Sequence, residues 1–277
     1  MRRDRVIAAT ALAILGALAW LYVLSGAGMA MSAWDMTNYL LFPHRHPDVS
    51  MATTEGMRGM EIPMKPEPVR RVGANVALMI GMWWAMMIAM MTPSAAPTVL
   101  LHAQVHRHGV ATGQLRPGFA PTGAFIMGYL AAWLAFSVVA TVLHGALESF
   151  AIVSATTMHS QSRWLSAAVL IAAGLYQLSP VKDVCLSHCR SPASFLSRHW
   201  RPGALGAMSL GAKHGAYCVG CCWVLMLLLF VGGVMNLLWI AVLTMIVIVE
   251  KHVVRGRTFG RVIGIGLMAW GLVTLWV

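Results

Sequence analysis

All five cysteines of this 277-residue chain lie between positions 185 and 222. Cys185 and Cys189 stand in Asp183-Val184-Cys185-Leu186-Ser187-His188-Cys189. Cys218, Cys221 and Cys222 stand in Lys213-His214-Gly215-Ala216-Tyr217-Cys218-Val219-Gly220-Cys221-Cys222. On a helix, side chains three or four positions apart share a face. Cys185 and Cys189 therefore share one face, and His214, Cys218 and either Cys221 or Cys222 share another. Two such faces brought together would close a site of three or four sulfurs, with His188 and His214 assisting. Thiolate and imidazole ligands select soft or borderline ions, chiefly Cu(I) and Zn(II), or an iron–sulfur cluster. Lys182, Lys213 and Arg190 lie near in sequence and would favour the thiolate form that both metal binding and thiol exchange require. A free cysteine is also a small buried hydrophobe, so packing explains any one of the five. Their clustering beside two histidines is what points to metal or redox chemistry.

The second source of sulfur is methionine, which occurs 21 times. Met79, Met82, Met86, Met87, Met90 and Met91 fall in one short run. At about 100° per residue, Met79, Met82, Met86 and Met90 form a single stripe flanked by Met87 and Met91. Thioethers are neutral, soft ligands that suit Cu(I) and would pass a cation through an apolar medium without burying an anion. Core packing produces the same stripe. The preceding segment, residues 25–71, adds His44, His46, Met51, Met57, Met60 and Met64. Soft ligands are thus expected to run from this loop, through the Met helix, to the thiols. The run ends at Met91-Thr92-Pro93-Ser94-Ala95-Ala96-Pro97, where two prolines remove backbone donors and are expected to break or kink the helix. His102 and His106 beyond it have the spacing of a metal-binding pair but are expected to be interfacial and solvated.

The elements that must position these residues are set by composition. The chain is 58% hydrophobic and only 10% charged, with mean hydropathy +0.71, against about 25% charged in soluble domains. A hydrocarbon core of about 30 Å takes roughly 20 helical residues to cross, and in lipid only helices or closed barrels satisfy their backbones. The expectation is an all-α polytopic transmembrane bundle of seven spans, near 6–24, 72–91, 121–143, 164–178, 215–231, 236–249 and 259–277. The fourth and sixth are short and would borrow Arg163, Glu250 and Lys251 from the interface. Residues 1–277 then form one membrane domain, with 25–71 an extracytoplasmic loop. The first apolar run exceeds a signal-peptide core, so it reads as an uncleaved span. Of 20 Lys and Arg residues, this topology leaves only Arg45, Arg58, Lys65, Arg70, Arg71 and Arg163 on the side opposite the N terminus. That bias predicts a cytoplasmic N terminus and an extracytoplasmic C terminus. The thiols would then face the reducing cytoplasm, which argues against structural disulfides.

The net charge of +11 is carried in short clusters beside apolar segments without interleaved aromatics. It suits lipid headgroups, not nucleic acid. Phosphate-binding Gly-rich loops, HExxH, CxxCH and GxSxG are absent from the sequence. No catalytic residue is assigned. Glu148, Asp183 and Glu250 stand at span edges and are expected to be solvated, so carboxylate relays of the proton-pump kind are unsupported.

Three stretches resemble a bacterial family described as predicted metal-binding integral membrane proteins, a domain family without assigned function. They are Met82-Trp83 through Met90-Met91-Thr92-Pro93 to Pro97, Gly174-Leu175-Tyr176-Gln177 through Lys182 to Cys189, and Gly211-Ala212-Lys213-His214-Gly215 through Cys218 to Cys222-Trp223. The resemblance covers most of the chain beyond residue 72 and implies a membrane-embedded, metal-binding bundle in a bacterial inner membrane. The combined expectation is a membrane protein that binds copper, as Cu(I), or else zinc, for transport or for delivery to a metallochaperone or membrane-complex subunit. Its ligands would come from Cys185, Cys189, Cys218, Cys221, Cys222, His188, His214, Met82, Met86 and Met90. Two other readings stay open. One is a thiol oxidoreductase using the Cys218/Cys221 pair. The other is a scaffold associating through the small-residue stretches 128–135 and 260–271.

Overall fold

The computed structural model describes residues 2–26, 71–115, 120–150, 153, 160, 162–253 and 255–276. The loop residues His44, His46, Met51, Met57, Met60 and Met64, and with them the expected outer ligand set, lie outside the described residues. The described chain is helical: α1 (Arg2–Leu24), α2 (Arg71–Ala111), α3 (Ala120–Ser149), α4 (Arg163–Leu178), α5 (Pro180–Arg190), α6 (Pro192–His199), α7 (Gly203–Leu227), α8 (Leu229–Gly232), α9 (Leu237–His252) and α10 (Gly256–Trp276).

Among the described residues, five helical stretches are long and apolar enough to cross a membrane: Val6–Leu24, Val76–Ala111, Pro121–Ser149, Gly203–Gly232 and Gly256–Trp276. A sixth is possible if the bent pair α4–α5 counts as one span. The expected seven is therefore corrected to five or six. The segments near 164–178 and 236–249 are helical, but α4 and α9 have 16 residues each, about 24 Å at 1.5 Å per residue. Neither alone reaches across about 30 Å of hydrocarbon.

The bundle is apolar outside and carries its buried ionic groups inside. Val6, Ile14, Leu18, Val139, Val142 and Val262 are exposed, whereas Lys182, Glu250, Lys251, His144 and His214 are buried. Such a distribution fits an apolar solvent.

Glycines set how closely the helices approach. A Cβ on Gly211 would lie 1.9 Å from the Phe125 carbonyl oxygen, and one on Gly128 would lie 2.0 Å from that of Met208. The backbones of α3 and α7 therefore touch. Gly211 meets Phe125 and Gly215 meets Tyr129, so these two helices run parallel. Gly174 and Gly264 bring α4 and α10 together in the same way. Gly128, Gly260 and Gly264 of the two small-residue stretches thus face neighbouring parts of this same chain, as small residues do where helices pack without a hydrophobic drive between them.

Two local features shape the surroundings of the cysteines. Ser179 precedes Pro180 and is extended, at φ −75°, ψ 143°, because the proline ring excludes the helical region for the residue before it. Its hydroxyl then accepts from the Lys182 N–H at 3.2 Å, capping α5 with proline at its first position. The chain bends by 64° there and lays α5 against α7. The second feature is a correction. Pro93 and Pro97 do not end α2, which continues to Ala111. The hydroxyls of Thr92 and Ser94 donate to the carbonyls of Ile88 and Met91 at 2.6 and 2.9 Å, and tertiary packing on both sides outweighs the local cost of the prolines.

Candidate metal centre

Helix α7 begins at Gly203, a dozen residues before the expected start of its span. Cys218 consequently falls halfway along the 30 residues Gly203–Gly232, not near a span entrance. Cys218, Cys221 and Cys222 are buried at 1%, 2% and 1% exposure. All three turn toward the same side because positions i, i+3 and i+4 share a face. The Cys221 and Cys222 thiols donate to the Cys218 carbonyl at 3.1 and 2.9 Å. From α5, Cys189 lies close enough to the thiols of Cys218 and Cys221 to interact electrostatically with both, and Cys222 lies close to the same two. Four of the five predicted cysteines are thus neighbours. Cys185 lies one turn along α5 against Gly220, where a Cβ would come within 3.0 Å of its sulfur. The five cysteines are all free thiols.

The methionine stripe is inside the bundle, with Met82, Met86 and Met90 fully buried. The thioether that meets the thiols belongs to Met91, which flanks the stripe and places its sulfur 4.0 Å from Cys222 Sγ. Tyr129 of α3 sets its hydroxyl 3.2 Å from Cys218 Sγ and donates to the Met91 carbonyl at 3.4 Å.

The group that sequence reasoning misplaced is Lys251. As a lysine just beyond an apolar run it reads as an interfacial residue whose ammonium reaches water. Instead it is 7% exposed, and the neighbouring Glu250, expected to be solvated, is 2% exposed. Lys251 Nζ donates to Cys218 Sγ at 3.0 Å and to Ser94 Oγ at 3.2 Å. The three cations expected beside the thiols do other work. Lys182 pairs with Glu250 at 2.6 Å, and Gln177 donates to the second oxygen of that carboxylate at 2.6 Å. Arg190 donates to the carbonyls of Glu250 and Val253 at 3.1 and 2.8 Å, closing the C-terminal end of α9. Lys213 is exposed. Asp183 does stay at the rim, 3.7 Å from both Arg257 and Arg261.

The two predicted histidines separate. His214 is buried beside the cluster, with its ring 5.8 Å from Tyr129 and 5.3 Å from Phe195. Among the described residues its Nδ1 has no hydrogen-bond partner. His188 turns elsewhere: it stacks on Tyr217 at 4.1 Å, with Nδ1 2.9 Å from the Val184 carbonyl of its own helix. His102, expected to be solvated, is buried and stacks on Phe125 at 4.9 Å. Among the described residues no three His, Cys, Asp or Glu side chains are already set around one point as a metal polyhedron.

Fold and site define an all-helical protein whose long apolar helices enclose a cluster of free thiols, a thioether and one ammonium. The particular family follows from the sequence match: residues 80–274 fit the PpoB2 family, described as copper chaperone, and the chain belongs to that family. The expected relation to a metal-handling family holds, and the family description names copper. No curated protein and no solved structure matches the chain.

Proposed function

We propose that this protein spans a membrane with its N terminus in the cytoplasm, takes up one Cu(I) ion as cargo on the thiols of Cys189, Cys218, Cys221 and Cys222, and hands it to an acceptor protein. The observation that carries the reading is the convergence of those thiols from α5 and α7 beside Met91 and His214, halfway along an apolar helix. Thiolates and thioethers are the ligand types that prefer Cu(I) over harder ions. Membership of a copper chaperone family favours copper over zinc.

Chaperoning requires a site that holds its ion and also releases it. Thiol ligands meet this need because an incoming thiolate or thioether can replace them one at a time. The thiols are in contact but not fixed as a polyhedron, so the site closes around the ion instead of trapping it in a rigid cage.

The test is Cu(I) titration of the detergent-purified, reduced protein against a chromophoric Cu(I) chelator, beside the C218S/C222S variant. One Cu(I) per chain in the wild type and its loss in a folded variant are expected. Unchanged stoichiometry in the variant refutes the ligand assignment. Absence of copper together with a reversible Cys218–Cys221 disulfide would replace the proposal with thiol oxidoreduction.

A further inference from the structure

Lys251 is the buried ionic group that the ligand chemistry leaves unused. Among the described residues, its ammonium has Cys218 Sγ and Ser94 Oγ as hydrogen-bond partners and no carboxylate. The adjacent buried cation, Lys182, is neutralised by Glu250. A charge held in an apolar interior without a counter-ion is costly, and inside a membrane-spanning bundle such a residue marks function by default.

The surroundings of Lys251 show where its counter-charge belongs. Cys218 Sγ accepts from the ammonium at 3.0 Å and lies 3.2 Å from the Tyr129 hydroxyl, with the thiols of Cys189 and Cys222 close by. Among the described residues it is the sulfur that the ammonium meets. Ser94, the other anchor of the ammonium, lies between the two prolines of α2 and is itself tied to the Met91 carbonyl. Helices α2, α7 and α9 therefore jointly hold the ammonium against the cluster.

On the reading that Cu(I) is the cargo, we infer that Lys251 is the built-in counter-ion of a bis-thiolate copper complex and sets the number of thiolates the site uses. The balance is simple. Cu(I) replaces the protons of two thiols, both protons pass to solvent, and the complex formed carries one negative charge. No electron is transferred. The ammonium beside Cys218 neutralises that charge, so the loaded site is electrically neutral in an apolar interior. Without the ammonium, neutrality is reached only with one thiolate and a neutral donor such as the Met91 thioether, a weaker ligand set for the ion. Lys251 thus acts through the ligands and does not coordinate.

The experiment compares wild type, K251M, K251R, C218S and K251M/C218S, each shown to be folded by its melting profile, in the same Cu(I) competition titration. X-ray absorption on the loaded proteins supplies the sulfur coordination. Truncating one member of a buried charge pair weakens binding by about 30-fold or more. K251M should therefore lose about 30-fold in Cu(I) affinity and show an altered copper–sulfur shell, and K251R should recover most of the affinity. K251M/C218S should bind no more weakly than C218S, because the ammonium acts through that sulfur. Wild-type affinity and an unchanged copper–sulfur shell in K251M overturn the counter-ion role while leaving the copper site intact. Failure of the wild type to bind Cu(I) overturns the functional reading on which this inference rests.

Discussion

The Lys182–Glu250 pair offers the sharpest test of how the site is held. Its charged atoms lie 2.6 Å apart with both side chains 3% exposed, and Gln177 donates to the other carboxylate oxygen. At an effective dielectric constant of about 20, the direct attraction at that distance is roughly 6 kcal/mol, offset by the cost of taking both ions out of water. Removing one partner strands the other, which costs about 3–5 kcal/mol. This is a large part of the roughly 5–15 kcal/mol that holds a typical domain folded. E250L should therefore lose about 3–5 kcal/mol, and K182M a similar amount. K182M/E250L removes both charges from the same apolar environment and should return to within about 1 kcal/mol of wild type or exceed it. The assay is reversible unfolding in mixed micelles followed by far-UV circular dichroism, read as a double-mutant cycle. Losses below about 1 kcal/mol in both single variants, or losses that simply add in the double variant, would refute the claim that the pair is a dry, mutually dependent link between α5 and α9.

Thiol labelling of the reduced native protein should separate the cysteines by burial. Cys185 and Cys189 are half-buried and should react with a maleimide well before Cys218, Cys221 and Cys222, and mass spectrometry of timed digests reads the order. Simultaneous modification of all five would show that the cluster is open. The glycine contacts give a contrasting pair. G211A forces a Cβ to within 1.9 Å of the Phe125 carbonyl and should cost about 1–3 kcal/mol through overpacking. At Gly81 nothing lies within 4 Å, and G81A should stabilise α2 by about 0.5–1 kcal/mol. Melting temperatures of the two variants that moved in the same direction would contradict the parallel, touching packing of α3 and α7.

What the sequence determined by itself follows from composition and local spacing. A chain with 10% charge and mean hydropathy +0.71 can bury its backbone in an apolar medium only as helices or closed barrels, and its long continuous apolar runs suit helices, so the all-α class was legible. The face shared by Cys218, Cys221 and Cys222 was legible too, because it depends only on helical geometry. The number of long apolar helices was not. Whether 16 apolar residues form a span depends on which neighbours they pack against, and α4 counts toward one only with α5 across the Ser179–Pro180 bend. The continuation of α2 through Pro93 and Pro97 was likewise hidden, since contacts on both sides of the prolines supply what the local sequence lacks. Above all, only tertiary structure decided which cation meets the thiols. Lys182, Lys213 and Arg190 are closer in sequence, but Glu250 takes the first, solvent the second and carbonyls at the end of α9 the third. Lys251, thirty-three residues beyond Cys218, reaches the cluster because α9 packs against α2, where Ser94 anchors the ammonium, and touches α7, where Cys218 accepts from it.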